Sequence, residues 1–192
     1  MIAIFSFTSK NFFRTSTMFT ILKQVSITGI VCIGQTMVML TGGIDLSVGS
    51  VAGVSAVTAA IFLKSYNLPI PVTCILVVIL SLIYGLISGF LAGIAGLVLL
   101  SRTSSGQPSA GSGYEMDAIT AVVLGGVSLN GGEVKLHMVV IGMLIMGVLT
   151  TGIIMCGIND YVQQFVKGIV LILAVAYSEI SKKIRSRMIV TE

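Results

Sequence analysis

Long uncharged apolar runs, separated by short polar interruptions rich in glycine, dominate this chain. Residues 25–40 carry no charge, and neither do residues 46–63. Each run suits a membrane helix, which needs about 20 mostly apolar residues. Residues 72–100 form a third uncharged run of 29 positions, more than one tilted helix of about 25 residues uses. In its second half Gly85, Gly89, Gly93 and Gly96 recur, and the first three share one helix face, which permits close helix packing. Residues 136–155 predict another span, and residues 165–178 begin the last. Residues 118–124 are apolar but too short to cross a bilayer. Residues 10–24 mix aromatic, basic and hydroxyl side chains, as an interfacial helix does. The pattern gives four or five crossings plus one short element.

The interruptions carry as much information as the runs. Asn67, Pro69 and Pro71 break the chain over residues 64–71. Residues 102–117 are polar and rich in glycine and serine, a loop read as folded back into the protein, and residues 125–135 form a glycine-rich break. The most informative is Thr41-Gly42-Gly43-Ile44-Asp45-Leu46-Ser47. Paired glycines make a continuous helix unfavourable there. Asp45 is placed to cap a new helix beginning at Leu46. A carboxylate near membrane depth is costly and marks a functional site by default. Asp45 therefore has two compatible readings: a polar element of a translocation path, or a cap satisfied by the amides of Ser47 or Val48.

This pattern recurs at an offset of 83: Gly42-Gly43-Ile44-Asp45-Leu46-Ser47 aligns with Gly125-Gly126-Val127-Ser128-Leu129-Asn130. Transporter folds contain internal repeats with broken helices at matching positions. Chains rich in glycine and aliphatics also generate such matches by coincidence. The candidate polar turns are Gly42, Gly43, Asp45, Ser47, Gly125, Gly126 and Ser128.

Composition sharpens the class. Of 192 residues, 55% are hydrophobic and 9% charged, with mean hydropathy +1.07, whereas soluble domains average about 25% charged. The chain reads as an integral membrane protein, an all-α polytopic bundle with broken or re-entrant helices in one domain. Lys10, Arg14 and Lys23 flank the first run, and Lys182, Lys183, Arg185 and Arg187 follow the last. The positive-inside tendency puts both termini in the cytoplasm. The basic tail then serves topology, and no nucleic-acid partner is implied. The N-terminus does not read as a cleaved signal. Cys32, Cys74 and Cys156 lie in apolar runs without metal-ligand spacing, so no metal or cofactor is expected.

Other polar residues have plain readings. Glu115 and Asp117 stand at i and i+2, which do not share a helix face, and suit an acidic helix start. His137 is expected at the interface, and Lys167, after Gln163 and Gln164, to snorkel there. The chain has no Gly-x-x-x-x-Gly-Lys-Ser/Thr loop. An ATP motor would therefore be another chain. An intramembrane aspartyl hydrolase needs two facing aspartates. Asp117 and Asp160 are the other candidates beside Asp45, and their flanking residues do not fit. No catalytic residue is assigned.

Three stretches resemble the permease subunits of bacterial ABC importers for ribose, xylose and related sugars. They are residues 24–53, above all Thr41-Gly-Gly-Ile-Asp-Leu-Ser-Val-Gly-Ser50; residues 101–126, with Gly113-Tyr-Glu-Met-Asp-Ala118; and residues 161–176, with Gln163-Gln-x-x-Lys-Gly168. The resemblance implies an inner-membrane permease paired with a second copy or paralogue. An ABC ATPase subunit would lie below and a periplasmic sugar-binding protein above. Family members run to somewhat over three hundred residues. The missing part is expected to be internal, with a splice near residues 90–91, and to include the segment that couples to the ATPase. Two alternatives follow: an inactive shortened remnant, or a passive channel or membrane scaffold.

Overall fold

The computed structural model describes residues 12–84, 86–107, 111–127 and 135–189. Among them are seven helices and no strand: α1 (Thr15–Leu40), α2 (Val48–Lys64), α3 (Ile70–Tyr84), α4 (Leu86–Thr103), α5 (Tyr114–Leu124), α6 (Leu136–Met155) and α7 (Asp160–Ile189). The all-helical bundle expected from the apolar runs is what forms.

Three boundaries differ from the sequence reading. α1 begins at Thr15, so the stretch expected as a separate interfacial helix continues into the first span. α2 begins at Val48, two residues after Leu46, for a reason given below. The 29-residue run divides into α3 and α4, which pack against each other as a hairpin. Helices long and apolar enough to cross a bilayer therefore number three among the described residues: Thr15–Leu40, Leu136–Met155 and Asp160–Ser181. Val48–Lys64, Ile70–Ile83 and Ser88–Thr103 are apolar but shorter.

α1 is the hub. It lies against α4, α5 and α6. Gly34 faces Ser88 and Leu91 while Gln24 meets Arg102, so α1 and α4 are antiparallel. Gly29 faces Met143 and Gly147 faces Val25, so α1 and α6 are antiparallel too. On one side α2, α3 and α4 form a tight group. There Gly93 abuts Ser81 of α3, where a Cβ would come within 2.7 Å. Gly96 instead abuts α2, with the Ala52 carbonyl 2.5 Å from a built Cβ. Gly93, one of the three glycines read as one face, thus meets α3, and Gly96, which was not among those three, meets α2; Gly85 lies outside the described residues. Ser55 and Ser81 share a buried 2.7 Å hydrogen bond across α2 and α3. Small residues at such contacts bring backbones close, which is how helices associate where lipid removes the hydrophobic drive between them. The core fits this: Ala52, Ala56, Ala92, Ala95, Ala118 and Ala121 are all fully buried in it.

On the other side α7 packs on α5 and barely touches α6. Only 6% of its most apolar window is buried within the chain, against 56% for that of α6.

Candidate functional site

α1 ends because Gly42 takes a conformation other residues avoid. At φ +81° it lets its N–H donate to the Met39 carbonyl at 3.0 Å and the Gly43 N–H to the Val38 carbonyl at 3.2 Å. This is the Schellman arrangement, which satisfies carbonyls otherwise orphaned at a helix end. The chain then returns to α1. Gln35, fully buried, donates its amide N–H to the Asp45 carbonyl at 2.9 Å and accepts from the Asp45 N–H at 3.3 Å. Asp45 Oδ1 accepts from the Ser47 N–H at 2.8 Å and the Ser47 hydroxyl at 2.6 Å. That is an Asx turn, so Ser47 becomes the residue before α2 and the helix starts at Val48. Burial pushes the Asp45 carboxyl up, but hydrogen bonds from Ser47 and Ser88 outweigh this and leave it below the usual carboxylate range.

The second glycine pair ends α5 in the same way. Gly126, at φ +79°, donates to Val123 at 2.9 Å, and the Val127 N–H donates to Val122 at 3.2 Å. The left-handed glycine is the first of the first pair and the second of the second. The structural equivalence is therefore Gly42 with Gly126, one residue off the sequence alignment of Gly42 with Gly125. Gly125 serves packing instead. A Cβ there would meet the Val139 backbone at 2.7 Å, so its bare Cα admits the start of α6. Ser128 lies outside the described residues.

The polar stretch after α4 folds back into the bundle, as expected. Gly106 lies against α2, where a Cβ would come 2.6 Å from that of Ala60, and Gly111 packs on the backbone of Gly49 and Gly53. Gly106 thus meets the later part of α2 and Gly111 its first turns before α5 begins. Gly49 in turn makes room for Glu115, whose carboxylate packs against the first turn of α2, a favourable place for negative charge. Glu115 Oε1 accepts from the Gly113 N–H at 3.2 Å.

This re-entrant course delivers Asp117 to the interior. It is 2% exposed, and both carboxylate oxygens lie 2.9 Å from Lys167 Nζ on α7. Lys167 therefore does not snorkel outward: a buried counter-ion at hydrogen-bond distance outweighs hydration at the interface. Among the described residues Asp117, not Asp45, is the buried carboxylate. The pair joins two of the stretches that carried the family resemblance, residues 113–118 and 163–168, and that coincidence was the sequence signal for it. Around the pair lies a polar cavity of about 380 Å³. Gln24 of α1, Arg102 of α4, Tyr114 of α5, Thr150 of α6 and Gln163 of α7 line it. Arg102 Nη1 donates to Gln24 Oε1. None of the predicted turn residues lines this cavity.

Asp160, the third aspartate considered, accepts from Gln163 Nε2 at 3.2 Å. Asp45, Asp117 and Asp160 thus have separate partners. Among the described residues no three His, Cys, Asp or Glu side chains cluster as metal ligands. His137 is exposed.

A sequence model of the family described as branched-chain amino acid transport system / permease component matches residues 17–88 and 84–175. The ribose import permease protein RbsC of Escherichia coli strain K12 is 29% identical over 286 residues, covering 91% of this chain and 89% of that protein. RbsC of Bacillus subtilis strain 168 is 28% identical over 284 residues, covering 91% and 88%. The L-arabinose transport system permease protein AraH of Escherichia coli strain K12 is 40% identical over 97 residues, covering 50% of this chain and 30% of that protein. The 286 aligned residues of the first comparison exceed the 192 of this chain, so that relative carries residues with no counterpart here. No solved structure matches this chain.

Proposed function

We propose, from the premise that the chain belongs to the family of branched-chain amino acid transport system / permease components, that it is the membrane-spanning permease subunit of an ATP-driven ABC importer for a monosaccharide or related small sugar. The observation that carries this reading is similarity to ribose permeases along 91% of the chain. An ABC ATPase subunit, a periplasmic sugar-binding protein and a second permease copy or paralogue complete the machine. ATP hydrolysis belongs to the ATPase, and both termini face the cytoplasm. The turns at Gly42, Gly43, Asp45 and Ser47, and at Gly125, Gly126 and Ser128, are assigned to the polar elements beside the path. Their support is the broken-helix geometry, which is how transporters place polar groups inside a bilayer. The missing length is assigned to an internal deletion near residues 90–91. The family match in two pieces meeting at residues 84–88 supports a junction in this part of the chain.

A second reading, an inserted but inactive remnant, draws on that same missing length, because a permease without a coupling segment cannot receive work from its ATPase. Co-purification separates the two. The tagged chain is expressed with the ATPase encoded beside it and solubilised gently. Stoichiometric co-elution of the ATPase is expected for the importer. A folded chain that brings down no ATPase identifies the remnant. Uptake that persists after ATP depletion would instead identify a passive channel.

A further inference from the structure

We infer that the cavity around Asp117 and Lys167 binds a small hydroxylated ligand carrying one negative charge, a sugar acid in chemical class, with its carboxylate against Arg102. The hydroxylated part of this assignment rests on the permease reading; the charge does not.

The argument starts from charge. Two cations and one anion line the cavity: Arg102, Lys167 and Asp117. Lys167 and Asp117 neutralise each other at 2.9 Å. Arg102 has no such partner. It bonds Gln24 Oε1, which is neutral, and among the described residues no carboxylate lies within ion-pair distance of it. The cavity therefore holds one uncompensated positive charge, and sheltered charges are stable when paired.

The second observation is independent. Thr150, 4% exposed, lines the same cavity, and its hydroxyl is buried with no hydrogen-bond partner. An unmet buried hydroxyl costs free energy that a ligand atom there would recover. Donors also outnumber acceptors. The guanidinium has five N–H groups, one of them spent on Gln24, while of the one carboxylate in the lining Oδ2 accepts from Lys167 and only Oδ1 is left without a hydrogen-bond partner. A neutral sugar would satisfy Thr150 and leave Arg102 uncompensated. A carboxylate meets the guanidinium fork with charge-assisted bonds, and hydroxyls on the same molecule reach Thr150. The volume, about 380 Å³, lies in the range of small-molecule sites, roughly 300–1,000 Å³.

The test uses the full chain in nanodiscs of zwitterionic phosphatidylcholine, with thermal unfolding as the readout and D-gluconate and D-glucose as probes. Gluconate is expected to raise Tm with a saturable dose dependence, and glucose at equal concentration is not. Arg102→Gln should raise the half-saturating gluconate concentration by about tenfold or more, and Arg102→Lys should restore part of the affinity. Equal shifts from both probes, no shift from either, or an unchanged gluconate response in Arg102→Gln would overturn the assignment. If Arg102→Gln fails to fold, the comparison of probes on the wild-type chain still decides. A third arm replaces phosphatidylcholine with phosphatidylglycerol. Abolition of the gluconate response there would show that a lipid headgroup takes the Arg102 position, and would overturn the sugar-acid assignment. Gluconate binding in a chain that brings down no ATPase would separate this inference from the importer reading.

Discussion

Asp45 and Asp117 both sit beside glycine-rich interruptions, yet their carboxylates are satisfied in opposite ways. Asp45 uses Ser47, two residues away, and stays partly open. Asp117 uses Lys167, 50 residues away on another helix, and is 2% exposed. The first is a local device that its own segment nearly completes. The second has no meaning until the whole bundle assembles. Free-energy costs should follow that division, because water can replace a partner at an open carboxylate and cannot at a buried one.

The largest expected effect is at the buried pair. Lys167→Leu leaves a buried carboxylate without a counter-ion and should cost about 3–5 kcal/mol, read as a large drop in Tm in detergent. The charge swap Asp117→Lys with Lys167→Asp should recover part of the loss. An unchanged Tm in Lys167→Leu would end the contrast drawn above. Next comes close packing. Gly96→Val drives a side chain into the Ala52 carbonyl, 2.5 Å from a built Cβ, and overpacking of this kind costs about 1–3 kcal/mol. Asp45→Leu removes the Asx turn and should cost about 0.5–2 kcal/mol, as lost helix caps do, together with a loss of sugar uptake on the permease reading. Wild-type uptake in that variant would remove Asp45 from any path. Asp45→Asn keeps an acceptor and should be milder. The folded Asp45 carboxyl lies below its usual range. Its contribution is thus full above the unfolded value of about 3.9 and fades as pH falls further; Asp45→Asn should lose that pH dependence. The smallest effect is expected at Gly168, where a Cβ meets nothing within 4 Å: Gly168→Ala should stay within about 0.5 kcal/mol of wild type.

The same division decides what the sequence revealed. Bilayer physics writes the span at residues 136–155 directly into composition, and α6 occupies it end to end. The Gly42 break was legible because a glycine pair and an Asx residue act over a few positions. What stayed hidden was long-range. No local rule says that Lys167 turns inward to Asp117, since a lysine near a span end has an open route to the interface. Nor does spacing say whether Gly93 and Gly96 face one helix or two, because three residues on a helix shift the direction by a fraction of a turn. The repeat was visible as a pattern and misplaced by one residue: the left-handed position belongs to whichever glycine follows the capping residue, and that depends on where the preceding helix ends.

The re-entrant segment also fixes an order of events as the chain is made. When Gly106 and Gly111 leave the ribosome, α2 is already complete, so the surface they dock on is waiting for them. Lys167 is a late arrival. Until α7 is synthesised and inserted, Asp117 lacks the counter-ion that makes its burial tolerable. α7, made well after α5, is therefore the helix that completes this buried pair, and a chain interrupted before it would present to quality control a half-finished interior with an unpaired charge.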